Sequence, residues 1–129
     1  MCDLSLIRKE RNEQRENNMD PIHQKMNKEI IQFIEQLDAD PNAERPTTFW
    51  FYSHQEENIY HLAHHLQGLN MTIQYCGEAF GENHEHLLIA EKWMCPSVES
   101  MNNLWRYFTD IAERFDVTYD GWETRVEPG

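Results

Sequence analysis

The chain has 129 residues, with 11 Lys plus Arg against 23 Asp plus Glu and a formal net charge of −12. That length fits one domain with a tail to spare, and 40% hydrophobic with 12% aromatic residues are enough to build a core. An acidic body disfavours non-specific nucleic-acid binding, which needs Lys and Arg against phosphate, and it disfavours an anionic membrane surface; it favours solubility and a basic partner.

Residues 1–18 carry Arg8, Lys9, Arg11 and Arg15 against Asp3, Glu10, Glu13 and Glu16, so their charges cancel and the whole −12 lies in residues 19–129. This head is polar and has no apolar periodicity past Ile7, so it is expected to be a disordered or frayed arm. It has neither the apolar core nor the small-residue cleavage site of a secretory signal, and no run approaches the ~18 apolar residues of a membrane span. Cys2, Cys76 and Cys95 are an odd number without CxxC spacing, which makes a reducing cytoplasm the expected compartment.

Asp20-Pro21 is a helix start, a side-chain cap followed by proline at the first helical position. Ile22, Met26, Ile30, Phe33, Ile34 and Leu37 repeat at helical spacing and predict a leading helix to about residue 38. A connector with two prolines follows to Pro46, and residues 19–44 read as an addition to the domain of residues 45–129. Thr47 to Tyr52 is β-branched and aromatic, and predicts a strand with Phe49 and Phe51 on one face and Trp50 and Tyr52 on the other. Ile59, Leu62, Ala63 and Leu66 form the apolar stripe of a second helix, stopped by Gly68.

Met71 to Cys76 predicts a second strand, joined through Gly77, Gly81 and Asn83 to a third at His86 to Met94. Pro96-Ser97 opens a long helix whose stripe runs from Val98 through Met101, Leu104, Trp105, Phe108, Ile111 and Ala112 to Phe115. A last strand starts at Val117, with Gly121 inside it as a bulge. The order β-α-β-β-α-β predicts an α+β, ferredoxin-like fold: a four-stranded antiparallel sheet with two helices on one face, plus the added N-terminal helix. The apolar stripe of that helix must be covered at a sheet edge, on the open sheet face, or by a second chain in a homo-oligomer.

The motifs that carry chemistry are sparse. His61 and His65 stand at i, i+4 on the second helix, a spacing that can hold zinc, but Leu62, Ala63 and His64 lie between them and supply no HExxH base. A solvated surface histidine set is the plainer reading, with a metal- or small-ligand-binding protein as the alternative. No GxGxxG, GxxxxGK[ST] or GxSxG occurs, and nothing calls for a cofactor. The aromatic strand suggests an RNA-recognition sheet, yet Leu87 to Trp93 lacks that module's Lys/Arg-Gly-aromatic signature and the acidic body opposes direct nucleic-acid contact.

The segment Ile111-Ala112-Glu113-Arg114-Phe115-Asp116-Val117-Thr118-Tyr119-Asp120-Gly121-Trp122-Glu123-Thr124 closely resembles the end of the bacterial RraB family, the regulator of ribonuclease E activity B. Phe49-Trp50-Phe51-Tyr52 and Glu91-Lys92-Trp93-Met94, leading through Pro96 into the long helix, support the resemblance over residues 45–127. It implies a ferredoxin-like, non-enzymatic, cytoplasmic protein that binds the C-terminal scaffolding region of ribonuclease E and dampens RNA cleavage. That scaffold is Arg-rich and disordered, a natural partner for an acidic globule. The sequence departs from enterobacterial members in its arm and leading helix and in their long Asp/Glu-rich tail, where it has only the five residues Arg125 to Gly129 after Thr124. The candidate protein-binding residues are Trp50, Tyr52, Tyr119, Asp120, Trp122 and Glu123; Gly121 and Trp122 also have a plausible structural role as bulge and packing residue.

Overall fold

The computed structural model describes residues 21–79 and 85–125. Its elements are α1 (Pro21–Leu37), β1 (Arg45–Ser53), α2 (Glu56–Gln67), β2 (Thr72–Glu78), β3 (His86–Met94), α3 (Val98–Phe115) and β4 (Thr118–Thr124). The polar arm and the Gly81 to His84 stretch of the hairpin loop fall outside the described residues. The strands form one sheet in the order β2-β3-β1-β4, and every neighbouring pair is antiparallel. This is the α+β, ferredoxin-like order with an N-terminal helix in front.

Strict alternation in β1 divides the sheet. Arg45, Thr47, Phe49, Phe51 and Ser53 are buried, and the residues between them are half-buried. Phe49 and Phe51 join Leu88 and Ala90 of β3 beneath α2 and α3, whose Ile59, Leu62, Leu66, Met101, Phe108 and Ile111 complete the core. Phe108 is the hub: its ring lies 4.7 Å from Phe49, 5.5 Å edge-on from Phe51 and 5.4 Å from Tyr119. Tilted and edge-on pairs at these separations suit aromatic quadrupoles and add to the gain from area burial.

The helix ends follow local chemistry. Ser97 and Ser100 close a reciprocal cap at the start of α3, satisfying two backbone N–H groups that the first turn leaves without partners. Asp116 ends α3 in the left-handed conformation, at φ 56°, with its N–H on the Ala112 and Glu113 carbonyls. Its own carbonyl accepts from Ser53 Oγ at 3.3 Å and Asn58 Nδ2 at 3.4 Å, which pins the entry to β4 against the end of β1. Helix α2 stops at Gly68 as the sequence suggests, but Gly68 is right-handed; the left-handed turn residue is Asn70, at φ 65°.

The leading helix buries only part of its apolar stripe within the chain. Its buried residues are Asn27, Ile31 and Ile34, and it packs on α3, with His23 5.7 Å from Trp105. Of the stripe that its sequence suggests, Ile34 is buried and Ile30 half-buried, while Ile22 is 65% and Phe33 56% exposed and Met26 and Leu37 are also exposed. The physical reason is polar. Asn27 accepts from Trp122 Nε1 at 2.7 Å and donates to Asn102 Oδ1 at 2.8 Å. These bonds turn Asn27 inward, and the apolar arc centred on Phe33 is carried outward.

Candidate functional site

With both helices on one face, none of the described helices covers the other face of the sheet. The register resolves it into rows of side chains. Trp93 of β3 lies opposite Pro46; Glu91 and Glu123 flank Thr48 from β3 and β4; Ile89 and Gly121 flank Trp50; and Leu87 and Thr118 flank Tyr52. On the outer strand β2, Thr72 lies opposite Glu91, Tyr75 opposite Ile89 and Gly77 opposite Leu87. The Tyr75 ring crosses Gly77, where a Cβ would stand 3.2 Å from its hydroxyl, so the absence of a side chain there makes room for the ring. The result is a band of aromatic and aliphatic groups crossed by one row with carboxylates at two of its positions.

The indole of Trp50 lies along β1, its N–H donating to Thr48 Oγ1 at 3.4 Å. That places it toward the row shared with Glu91 and Glu123. Its β4 flank is open: Gly121 stands at φ +130°, a conformation that L side chains rarely adopt, and nothing lies within 4 Å of where a Cβ would be. Trp93 is 62% exposed. Among the described residues no Lys or Arg pairs with Glu91 or Glu123. Burial first, and then the charges of Asp120 and Glu85, push the Tyr52 hydroxyl above the usual tyrosine range.

The structure gathers some of the sequence candidates and separates others. Trp50, Tyr52 and Glu123 share the helix-free face, with Asp120 exposed at its edge. Tyr119 and Trp122 point the other way. Tyr119 packs 5.2 Å from Phe51, and burial raises its hydroxyl far above the usual range. Trp122 packs on the core and donates to Asn27. Residues 119 and 122 would face opposite ways in a regular strand. They share a face because the register shifts by one residue between Trp50 and Phe51, leaving Asp120 as the bulged residue. Glu91, Tyr75 and Ile89 join the face although they were not candidates from sequence, and Trp93, which the aromatic reading grouped with Trp50 and Tyr52, joins it too. Alternation in β3, registered on Phe49 opposite Ala90, is the signal that finds them.

The histidines lie elsewhere. His61 is exposed on α2, and His65 stacks 5.3 Å from Phe115 with its Nε2 buried and without a hydrogen-bond partner. Among the described residues, no group of three or more His, Cys, Asp or Glu is placed to hold a metal ion. Cys76 is half-buried, and burial foremost, with Glu56 second, raises its thiol above the ordinary range. No described helix is long and apolar enough to cross a membrane.

A comparison with individual curated proteins returns no match. At the level of families, the sequence profile of RraB, described as Regulator of ribonuclease activity B, matches residues 24–124. The match takes in the whole sheet, α2, α3 and nearly all of α1. With the α+β order and the Tyr119-to-Thr124 segment both in place, the chain belongs to the RraB family of ribonuclease-activity regulators.

Proposed function

We propose that the protein is a non-enzymatic regulator that binds a basic protein partner through the helix-free face of its sheet and so modulates ribonuclease activity. Family membership supplies the regulatory role. The observation that carries the binding mode is the juxtaposition of Trp50 and Trp93 with Glu91 and Glu123 on the one sheet face that no described helix covers. Aromatic groups beside carboxylates suit arginine-bearing protein, and the −12 charge speeds encounter with such a partner. The resemblance to inhibitors of ribonuclease E makes its Arg-rich C-terminal scaffold the partner of choice, in the cytoplasm, with no catalysis and no cofactor. The test is capture of that C-terminal half by the full chain, repeated at rising salt. Binding at low salt that weakens steadily supports the reading; no capture even at low salt removes it.

A second interaction accompanies the first. The outward stripe Ile22, Met26, Phe33 and Leu37 suits a second copy of the chain. Lys25 and Lys28 balance Glu29 and Glu35 on α1, so two acidic bodies can meet there without like-charge repulsion. Light scattering should give a dimer for the wild type and a monomer for Phe33→Glu with Leu37→Glu. A wild type that stays monomeric at every accessible concentration excludes the dimer and leaves the regulator untouched.

A further inference from the structure

Building on that reading of the sheet face, we infer that the row Glu91–Thr48–Glu123, between Trp50 and Trp93, binds the guanidinium group of an arginine in an extended partner segment. The row has the parts that a guanidinium uses. Glu91 and Glu123 stand on the strands either side of Thr48, so their backbones are roughly 10 Å apart with the Thr48 row between them. Among the described residues, neither has a cation of the protein's own. Trp50 borders the row through its bond to Thr48, and Gly121 leaves its β4 flank without a side chain.

Arginine matches this arrangement better than lysine. Its planar head stacks on an indole while the edge of the same head donates to carboxylates, whereas an ammonium is a compact, strongly hydrated point charge. Spacing favours an extended ligand. Alternate side chains of an extended strand stand about 6.6–6.8 Å apart, the same step that separates residues i and i+2 along β1. A guanidinium at the Thr48 row therefore puts the next alternate side chain near Trp50, opposite Gly121, where β4 leaves room for it. Single-stranded RNA also stacks on sheet aromatics, but here its phosphates would meet carboxylates.

The test is calorimetric titration of the full chain with a capped peptide of alternating Arg and Ser, with its Lys-for-Arg counterpart, and with oligouridylate. The Arg peptide should bind about fivefold more tightly than the Lys peptide. Trp50→Leu should erase that preference, and Glu91→Gln with Glu123→Gln should weaken both peptides about tenfold with an unchanged melting temperature. Equal affinity of the two peptides for the wild type overturns the assignment, as does oligouridylate binding that Trp50→Leu abolishes. If Trp50→Leu does not fold, the double glutamine variant decides, and unchanged Arg-peptide affinity there overturns the site. The partner reading is tested separately. Capture of the ribonuclease E half by the glutamine variant as well as by the wild type leaves the partner standing and removes the site. Peptide binding as expected without capture keeps the site and removes that partner.

Discussion

Asn27 shows how one polar residue can set an orientation that apolar periodicity leaves open. It is buried between Trp122 Nε1 and Asn102, and so links β4 through α1 to α3. Asn27→Ala strips Trp122 of its acceptor inside the fold, and a buried donor left unmade costs about 1–3 kcal/mol. A lowered urea midpoint with an unchanged slope would register that loss. Tyr119 gives a pH-dependent prediction. Its folded pKa is raised by burial above the ordinary 10.0, so its contribution to stability is fully present below pH 10 and is lost as pH rises toward the folded value. Urea midpoints at pH 8 and pH 10.5 should fall further apart for the wild type than for Tyr119→Phe. The same two aromatics show what the sequence left open: it offered Trp122 as a packing residue beside a bulge as well as a contact residue, and the bulge at Asp120 changes the parity of the strand and packs both Tyr119 and Trp122 on the core.

At the scale of elements, the connector between α1 and β1 is held by a buried ion pair. Arg45 Nη1 donates to Asp38 Oδ2 at 2.6 Å, with the two side chains only 6% and 4% exposed. The remaining guanidinium donors reach the carbonyls of Asp40, Ala43 and Arg125, which ties the end of α1 to the end of β4. Asp38→Asn keeps the shape and leaves the Arg45 charge buried without its counter-ion. The expected loss is about 3 kcal/mol, read as a lower urea midpoint, with amide exchange accelerated first in α1. This clamp was not legible in the sequence, where residues 38–46 read as a polar loop. Strands and the two sheet-covering helices were legible because each has a single buried face, so period two or period 3.6 identifies it. The leading helix has an apolar arc too wide for one side to be chosen by spacing, and its orientation came from Asn27 instead.

For the whole molecule, charge and sheet geometry act together. The −12 is distributed over a body whose helix-free face mixes carboxylates with aromatic groups. Partner association should therefore be fastest at low salt and slow markedly as the Debye length shrinks toward about 8 Å at physiological ionic strength, while dissociation changes less. Stopped-flow measurements at several salt concentrations separate the two rates. Trp50 and Tyr52 were legible as surface candidates from alternation alone. Alternation in β3 puts Glu91 and Trp93 on one face, but seating Glu91 across Thr48 from Glu123 required the register of β1 with β3 and β4, which pairs residues far apart in the chain.

The place of β1 at the centre of the sheet also shapes how the chain is made. Its two hydrogen-bonding edges are completed by β3 and β4, the latter the last strand described. During vectorial synthesis, β4 emerges roughly 70 residues after β1, an interval on the order of 4–14 s at ~5–20 residues per second. Through that interval, Phe49-Trp50-Phe51-Tyr52 has at least one open edge, the combination that promotes intermolecular pairing of nascent chains. The acidic residues that precede β4 in the chain, Glu56, Glu57 and Glu78 among them, are already translated by then. They supply mutual repulsion between neighbouring nascent chains, so the charge proposed for recognition in the finished protein also protects its unfinished one.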